Sequence, residues 1–456
     1  MRLSRLLSTL LAGAALAAGL ALPSPARAAT PNDFGSAVVY CVYPTIFSPA
    51  GDFAGVTRQL PRLAKLGVTV VWLMPVTPIG QAVDGHPSFD SPYCVRDYYG
   101  VNPAYGSAAD LKALIARAHA LGLKVILDEV LNHTAWDNPL IHAHPDYYAH
   151  SDGNSDNPNS IVQAFHYADV AQLDYASPGL RRYMTQMLTY WIKTYHVDGF
   201  RFDTASDPNG PNRKIPVDFW RALAARLRAV EPGILLVGEC ESPDLALKPF
   251  DIDYGWWLHD GLKAAFNHGS ATYARTAWQS QTDQFPPGML HLSLQDDWDY
   301  DRDINTFDGP SGALAVATFY ETINGAPLIY NGMEIGNAAG AVNPHAPIDW
   351  SDANPKFVAF YPQMLALRRH NPALQQGALT WLTNSDPHDL LTYERRGGGA
   401  TFLIEINVAD QPVTAHVDAP GAAAWTEVTP PALAEPKHPA PPAVTLGAHG
   451  VAIFRR

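Results

Sequence analysis

The fold prediction starts from residues 197 to 204, Val197-Asp198-Gly199-Phe200-Arg201-Phe202-Asp203-Thr204. This stretch follows a helical run, Leu180 to Tyr195, and its pattern indicates a buried strand that ends in a carboxylate. Side chains alternate along a strand, so Arg201 and Asp203 point to the same face. An arginine beside a carboxylate favours the ionised acid and orients it, as a nucleophilic or charge-stabilising carboxylate requires. A structural ion pair is the alternative.

Further apolar strands of this kind alternate with helical stretches along the chain. Continuous apolar strands separated by helices indicate a parallel sheet that is covered by helices. Eight strands predict a closed (β/α)₈ barrel, the TIM-barrel class of α/β fold, with a doubly wound open sheet as the alternative. The strands are predicted at Ser36 to Val42, Val68 to Met74, Lys124 to Val130, Val197 to Phe202, Ile234 to Val237, Asp251 to Trp257, Met289 to Leu294 and Pro327 to Tyr330.

Two departures from the barrel pattern define the other parts of the chain. Residues 132–176 form a long connection rich in His, Asp, Asn, Pro and Tyr, which predicts a short inserted subdomain after strand three. After Asn371 the pattern changes to short strands with turn signals, which is typical of a β-sandwich. We therefore expect a catalytic barrel over residues 29–375, with the insert at about 132–176, and a C-terminal β-sandwich over residues 376–456.

The first 28 residues have the pattern of a signal peptide. Arg2 and Arg5 precede an apolar run from Leu6 to Leu22, and Ala26-Arg27-Ala28 is a small-x-small cleavage pattern. A membrane anchor is the alternative, although Ser, Thr and Gly interrupt the run and prolines follow it. The sequence predicts an exported protein, periplasmic or secreted, with no membrane association of the mature form.

Charge and cysteine content restrict the partners. The formal net charge of −13 argues against nucleic acid as a partner, and a neutral ligand is compatible with it. The chain lacks the glycine-rich fingerprints of nucleotide-binding folds. Three cysteines, Cys41, Cys94 and Cys240, leave at least one unpaired in an oxidising compartment, and a Cys41–Cys94 bridge is one option. The sequence does not indicate an oligomeric state.

Acidic residues recur where the predicted barrel strands end. In a parallel barrel these carboxyl ends form one face, and the chemistry of such enzymes gathers there. Strand three ends in Asp128-Glu129, strand four in Asp203, strand five in Glu239, and strand seven in Gln295-Asp296-Asp297. Their mutual repulsion requires an offsetting cation, and Arg201 is the nearest in sequence.

Six segments are also notable for their order along the chain. They are Pro92-Tyr93-Cys94-Val95-Arg96-Asp97-Tyr98 with Asn102-Pro103-Ala104-Tyr105-Gly106-Ser107, Asp128-Glu129-Val130-Leu131-Asn132-His133, Gln172-Leu173-Asp174, Gly199-Phe200-Arg201-Phe202-Asp203, Gly238-Glu239, and Gly325-Ala326-Pro327-Leu328-Ile329-Tyr330-Asn331-Gly332-Met333-Glu334. Together they resemble the motifs of glycoside hydrolase family 13, the α-amylase family. The resemblance implies a TIM barrel that acts on α-glucosidic bonds.

The resemblance also implies roles for the acids. Asp203 would be the nucleophile that forms a glycosyl-enzyme intermediate, and Glu239 would be the general acid and base. Asp297 would bind sugar hydroxyls and stabilise the oxocarbenium-like transition state. This chemistry requires one carboxylate that is ionised and one that is protonated near neutral pH. Double displacement predicts that the carboxyl groups of Asp203 and Glu239 lie roughly 5–5.5 Å apart.

Further residues would bind the sugar in the cleavage subsite. The resemblance implies that His133 contacts the sugar and that the ring of Tyr93 stacks on the apolar face of the sugar, while Arg201 keeps Asp203 ionised. Asp128 would orient Arg201 rather than contact substrate. The usual Asn-His-Asp of strand seven is replaced by Gln295-Asp296-Asp297, so an extra acid, Asp296, stands at the sugar-binding position and remains an alternative stabiliser.

The calcium site of many family members is altered in this sequence. Asn132 matches one ligand, but Gln172 stands where an aspartate is usual, and Ser206-Asp207 replaces a Lys-His pair. The sequence therefore predicts no cofactor and no metal site, with calcium as the alternative. The oxygen-rich run from Asp152 to Asn157 lacks the glycine and glutamate of a calcium loop, which favours a solvated turn.

The expected function is that of a retaining α-glucan hydrolase, an α-amylase-like enzyme that cleaves α-1,4-glucosidic bonds of starch or maltooligosaccharides. One alternative is a transglycosylase or a disaccharide-active α-glucosidase of the same family. A more distant alternative is a catalytically weak carbohydrate-binding protein. The sequence leaves chain-length preference and endo or exo attack undetermined.

Overall fold

Eight parallel strands close into a barrel at the centre of the chain. The structure, a computed structural model, describes residues 34–456 except 84, 207–214, 248, 340–346, 422–424, 434–438 and 440. The predicted signal peptide and Asp207 therefore lie outside the described residues. The barrel strands, in chain order, are β1 (Val39–Val42), β2 (Val70–Leu73), β3 (Lys124–Val130), β6 (Gly199–Asp203), β7 (Leu235–Gly238), β8 (Ile252–Tyr254), β9 (Leu290–Ser293) and β10 (Ala326–Tyr330).

The predicted TIM barrel is confirmed, and its eight strands follow one another around the barrel in chain order. Almost every residue of these strands is buried, because each strand is covered by helices outside and by its opposite strands inside. The strand predicted at Asp251 to Trp257 differs most from the observed one, which is shorter because a helix already begins at Trp256. The continuous apolar runs thus identified the strands, although not their ends.

The helices surround the barrel, and capping residues at their ends explain where a helix begins and ends in the sequence. Asp52 accepts a hydrogen bond from the backbone N–H of Gly55 at the start of one helix, and Gly67 ends that helix with φ 112°, a left-handed conformation that favours glycine. The α-helices are α1 (Pro44–Phe47), α2 (Phe53–Leu66), α3 (Ala108–Ala120), α4 (Leu140–Ala143), α5 (Pro178–Tyr195), α6 (Val217–Val230), α7 (Trp256–His268), α8 (Ala271–Gln284), α9 (Asp303–Thr306), α10 (Gly309–Thr322), α11 (Pro355–Arg369) and α12 (Pro372–Gln376).

A small insert lies between β3 and α5, where the long connection predicted one. It contains a two-stranded antiparallel ladder of β4 (His133–Ala135) and β5 (Val170–Gln172). Short 3₁₀ turns at Pro145–Tyr147 and Pro158–Ser160 fill the space between the two strands. The loop from Asp152 to Asn157 is exposed, and the Asp152 carboxylate accepts hydrogen bonds from Asn154 and Asn157 within it.

The C-terminal part of the chain is an antiparallel β-domain, as predicted. Its larger sheet has the strand order β11-β12-β13-β17-β15, and β14 pairs with β16 in a second sheet. Apolar side chains between the two sheets, such as Leu403 and Val444, form a separate core. The strands are β11 (Ala378–Trp381), β12 (Leu390–Gly397), β13 (Ala400–Asn407), β14 (Val413–His416), β15 (Thr426–Glu427), β16 (Ala443–Leu446) and β17 (Val451–Arg455).

The bridge between Cys41 and Cys94, which the sequence left open, does not form in this structure. Both are buried free thiols, Cys41 on β1 and Cys94 in the loop after β2. The Cys94 thiol donates instead to the backbone oxygen of Asp169, 3.2 Å away. Within the described part of the chain, no helix has the length and apolar character needed to cross a membrane.

Candidate active site

Three acidic residues come together because their strands are neighbours in parallel register. Strand β6 pairs with β3 on one side, with Asp128 opposite Arg201, and with β7 on the other, with Phe202 opposite Gly238. Asp203 is the last residue of β6, and Glu239 directly follows β7. The barrel topology thus brings these side chains to one face, as the sequence predicted.

The guanidinium group of Arg201 joins the three acids. Nη1 lies 2.9 Å from Oδ1 of Asp128 and 3.2 Å from Oδ1 of Asp203, while Nη2 lies 2.9 Å from Oε2 of Glu239. Nε donates to the hydroxyl of Tyr254 at 3.0 Å. Arg201 is 2% exposed, so this cation is shielded from water and fixes the positions of the acids. Asp128 thus contacts the guanidinium group directly, as the orienting role predicted for it requires.

Thr204 forms a second connection between the two candidate catalytic acids. Its backbone N–H donates to Oε2 of Glu239 at 2.5 Å, and its hydroxyl donates to Oδ2 of Asp203 at 2.9 Å. Thr204 has φ 43°, a conformation that is strained for a β-branched residue. Such strain is often found at functional sites, where the surrounding structure maintains it.

The environment of Glu239 favours its protonated form. Burial is the largest cause that raises its pKa well above the usual range, and the negative charges of Asp203 and Asp299 add to it. The cation of Arg201 acts in the opposite direction without cancelling these effects. The residue before Glu239 has no room for a side chain, since a Cβ on Gly238 would lie 2.4 Å from the ring of Phe250. A carboxylic acid that retains its proton near neutral pH is suited to general acid catalysis.

Strand β9 is followed by an acidic loop that contributes two further carboxylates. Asp297 is 4% exposed and accepts a hydrogen bond at 2.8 Å from the backbone N–H of Asp299. Burial, followed by the charge of Asp299, raises the pKa of Asp297 to about 7. Asp299 is the more exposed of the two, and its charge acts on Glu239 and Tyr93. The third acid of the site is therefore Asp297 or its neighbour Asp299.

The position of Asp296 argues against its predicted contact with substrate. Its side chain is fully buried, and Oδ2 lies 3.1 Å from Nε of Arg302. Gln295, the preceding residue, also points into the protein, where its amide donates to Asp303 and to the backbone oxygen of Ala313. The extra acid of this loop thus pairs with an arginine that follows it in the chain.

The two predicted sugar-binding residues lie beside the acids. The Tyr93 hydroxyl donates to Oδ2 of Asp128 at 3.2 Å, and its half-buried ring lies 5.6 Å from Cζ of Arg201. His133 is 6% exposed, and burial lowers its pKa while the charge of Asp203 raises it. The roles of both residues stay predictions.

Sequence reasoning missed three residues of this site, Asp299, Thr204 and Tyr167. Tyr167 is on the insert with 51% of its surface exposed, and its pKa is raised by partial burial and by the charges of Asp299, Asp203 and Glu239. The charges of the acids therefore act on the hydroxyl of this exposed aromatic residue. The Asp-x-Asp spacing of residues 297 and 299 was a signal for the second acid, whereas nothing local distinguished Tyr167.

The described residues do not fit the calcium ion that the family resemblance suggests. A side-chain nitrogen, Nε2 of Gln172, lies among the oxygens of Asn132 that would be ligands, and a donor nitrogen excludes a cation. Among the described residues, no group of three or more His, Cys, Asp or Glu side chains is placed to hold a metal ion. We assign no step to a metal.

The fold and the site together define a class of protein, a TIM barrel with several carboxylates and a buried arginine at the carboxyl ends of its strands. A family model described as "Alpha amylase, catalytic domain" matches residues 36–354. The chain belongs to this family, glycoside hydrolase family 13, and the resemblance found in the sequence is confirmed.

Relatives and solved structures agree with this assignment. A cyclomaltodextrinase from Geobacillus thermopakistaniensis is 26% identical over 401 residues, which cover 81% of this chain and 64% of that protein. The chain thus spans less than two thirds of that relative's length. An α-amylase structure from Lactobacillus plantarum is 25% identical, with a TM-score of 0.78 over 93% of this chain and 99% of that one. A maltogenic α-amylase from Thermotoga neapolitana, 24% identical, has the same fold, with a TM-score of 0.75 over 92% and 96% of the two chains.

Proposed function

We propose that this protein is a retaining α-glucan hydrolase that cleaves α-1,4-glucosidic bonds of starch or maltooligosaccharides. The observation that carries the proposal is the contact of one buried guanidinium, that of Arg201, with both Asp203 and Glu239. Two carboxyl groups held close together, one of them with a raised pKa, are the requirement for double displacement. The relatives include a cyclomaltodextrinase and an α-amylase, which supports the substrate class.

In the first step, the proton of Glu239 moves to the glycosidic oxygen while a carboxylate oxygen of Asp203 attacks the anomeric carbon. The bond to the leaving sugar breaks, and a covalent glycosyl ester of Asp203 forms. Arg201 donates to one carboxylate oxygen of Asp203 and the hydroxyl of Thr204 donates to the other. These two hydrogen bonds fix the direction from which Asp203 attacks.

In the second step, Glu239 is a carboxylate and accepts a proton from water, whose oxygen attacks the anomeric carbon. The ester bond to Asp203 breaks, and the sugar leaves with the anomeric configuration of the substrate. Negative charge from Asp297 or Asp299 would stabilise the positive charge that develops on the sugar ring in both steps.

The test is the anomeric configuration of the first product. Purified protein is mixed with maltopentaose, and ¹H NMR spectra are recorded before mutarotation. We expect an increase in reducing ends with the α-anomer first. Appearance of the β-anomer first would overturn the double displacement, and tight binding of maltopentaose without hydrolysis would favour a carbohydrate-binding protein. Longer sugars formed from excess maltose would favour a transglycosylase.

We also propose that the protein is exported and that its signal peptide is removed after Ala28. The support is the sequence pattern of Arg2, Arg5, the apolar run and the small residues before the cleavage position. N-terminal sequencing of the protein from a secreting bacterial host should give Ala29 as the first residue. A mature protein that begins at Met1 in the cytoplasm would contradict export.

A further inference from the structure

A buried glutamine side chain closes the base of the insert. Gln172 is the last residue of β5, and it pairs in the antiparallel ladder with His133, the first residue of β4. Gln172 is 2% exposed, and its neighbour Leu173 is fully buried. The amide group therefore has to find all of its hydrogen-bond partners within the protein.

The side-chain nitrogen of Gln172 lies among three oxygen atoms. Nε2 is 2.9 Å from the backbone oxygen of Asn132, 3.2 Å from its Oδ1 and 3.0 Å from the backbone oxygen of Leu173. Both backbone oxygens can only accept, so the nitrogen rather than the oxygen of the Gln172 amide belongs at this position. The two hydrogens of one amide group thus serve three acceptors.

This arrangement has the shape of a cation site, but a neutral donor occupies its centre. Calcium takes six to eight oxygen ligands at about 2.3–2.6 Å, usually with carboxylates among them. The three oxygens here surround a nitrogen at 2.9 Å or more, and none of them belongs to a carboxylate. The positive end of the amide dipole supplies the attraction that a bound ion would otherwise supply.

We propose that Gln172 replaces a structural cation at the join of the barrel and the insert, so that this protein needs no divalent ion to fold. The replacement also affects the candidate active site, because Nδ2 of Asn132 lies 3.3 Å from Nδ1 of His133. Gln172 fixes Oδ1 of Asn132 and therefore directs the Asn132 N–H groups towards the histidine ring. Gln172 is thus a positioning residue for His133, whether or not the proposed activity is correct.

The experiment compares thermal unfolding of three proteins in excess EDTA and in millimolar CaCl₂. The wild type should have the same Tm in both. Gln172→Glu places a carboxylate oxygen against the three oxygens, so its Tm should fall in EDTA and recover in calcium, since a cation can now bind between them. The matched control is Gln163→Glu, the same change on an exposed side chain of the insert, which should show no calcium response.

The proposal is overturned if EDTA lowers the Tm of the wild type, or if calorimetry shows that the wild type binds calcium stoichiometrically. A Gln172→Glu protein that matches the wild type in EDTA, or that calcium does not restore, also overturns it. If this variant does not fold at all, the two measurements on the wild type decide by themselves. The positioning role predicts that Gln172→Met, a variant of similar size without an N–H group, changes the ¹⁵N shifts of the His133 ring. Unchanged shifts in the folded variant would exclude that role.

Discussion

The backbone N–H of Thr204 donates to Oε2 of Glu239 across 2.5 Å, from a residue whose φ is 43°. Thr204 follows β6 and Glu239 follows β7, so this hydrogen bond ties the ends of two neighbouring barrel strands together. The Thr204 hydroxyl at the same time donates to Asp203. The strained residue thus sets the relative position of the proposed nucleophile and the proposed acid, and the first prediction concerns these two.

Removing each acid should have a different kinetic effect. Asp203→Asn should lower kcat for maltooligosaccharides by about 10⁴-fold or more, because no covalent intermediate can form. Glu239→Gln should lower it by about 10²- to 10⁴-fold. A 4-nitrophenyl maltoside has a leaving group that needs little protonation. With this substrate, the rate of the first step in Glu239→Gln should be much closer to that of the wild type, whereas the rate in Asp203→Asn should stay low.

The measurement is the pre-steady-state release of 4-nitrophenol beside steady-state turnover of the natural sugar. Asp146→Asn, a change of an exposed acid on the insert, serves as the control and should behave as the wild type. Equal losses on both substrates for Glu239→Gln would show that it is not the general acid.

The basic limb of the pH profile should depend on Asp299. Glu239 must be protonated to act as the acid, so kcat/KM falls as pH rises through its raised pKa. The charge of Asp299 contributes to that elevation, and Asp299→Asn removes it. The pKa of Glu239 should then be lower, and the basic limb should move to lower pH.

Asp297→Asn is the comparison for Asp299→Asn, and kcat/KM is measured from pH 5 to 9 for both. Asp297→Asn should move the basic limb less, since its charge is not among the main causes at Glu239. A basic limb that Asp299→Asn leaves in place would contradict the assignment of Asp299 to the site. The variant with the larger loss of kcat identifies the acid that stabilises the transition state.

Tyr167 should contribute to substrate binding rather than to chemistry. Tyr167 has an exposed aromatic ring on which the charges of the acids act, and packing of its apolar face on a sugar contributes about 0.5–1.5 kcal/mol. Tyr167→Ala should therefore raise KM for maltopentaose by about two- to tenfold, with kcat nearly unchanged. Tyr167→Phe should retain most of the binding. Tyr273→Ala removes a similarly exposed ring from α8 as a control, and an equal change in KM for both alanine variants would refute the prediction.

The stability of the protein should depend on pH through Glu405 in β13. This side chain is fully buried, neither of its carboxylate oxygens has a hydrogen-bond partner among the described residues, and burial and the charge of Glu427 raise its pKa to about 8. The unfolded chain releases this proton near pH 4.3, so between about pH 4 and 8 the folded state retains a proton that the unfolded state has lost. Stability from this group is complete below that window and is lost as pH rises through it.

Glu405→Gln cannot lose a proton, so its Tm relative to the wild type should increase from pH 5 to pH 8.5. Urea denaturation at both pH values gives the free energies of unfolding. Glu231→Gln, an exposed carboxylate without a resolved contact to the core, should give the same small difference at both. A pH-independent difference for Glu405→Gln would show that its carboxyl group is not buried as described.

Much of the barrel could be predicted because its signals are local. A run such as Val70 to Leu73 is apolar over its whole length, and helix ends such as Asp52 and Gly67 have caps that short sequence windows reveal. Parallel topology then places the residue after each strand on one face, which was sufficient to bring Asp203 and Glu239 together.

The amino-acid sequence by itself determined the barrel, the family and the two acids that terminate β6 and β7, because strand alternation and parallel order leave those side chains little freedom. Only the tertiary structure decided which carboxylates of the loop after β9 face the cleft. Asp296 pairs with Arg302, and the charge of Asp299 acts on Glu239. It also decided that the Gln172 nitrogen lies among three oxygens. The direction of a loop side chain depends on partners that are distant in sequence or held by loop geometry, and no local pattern contains them.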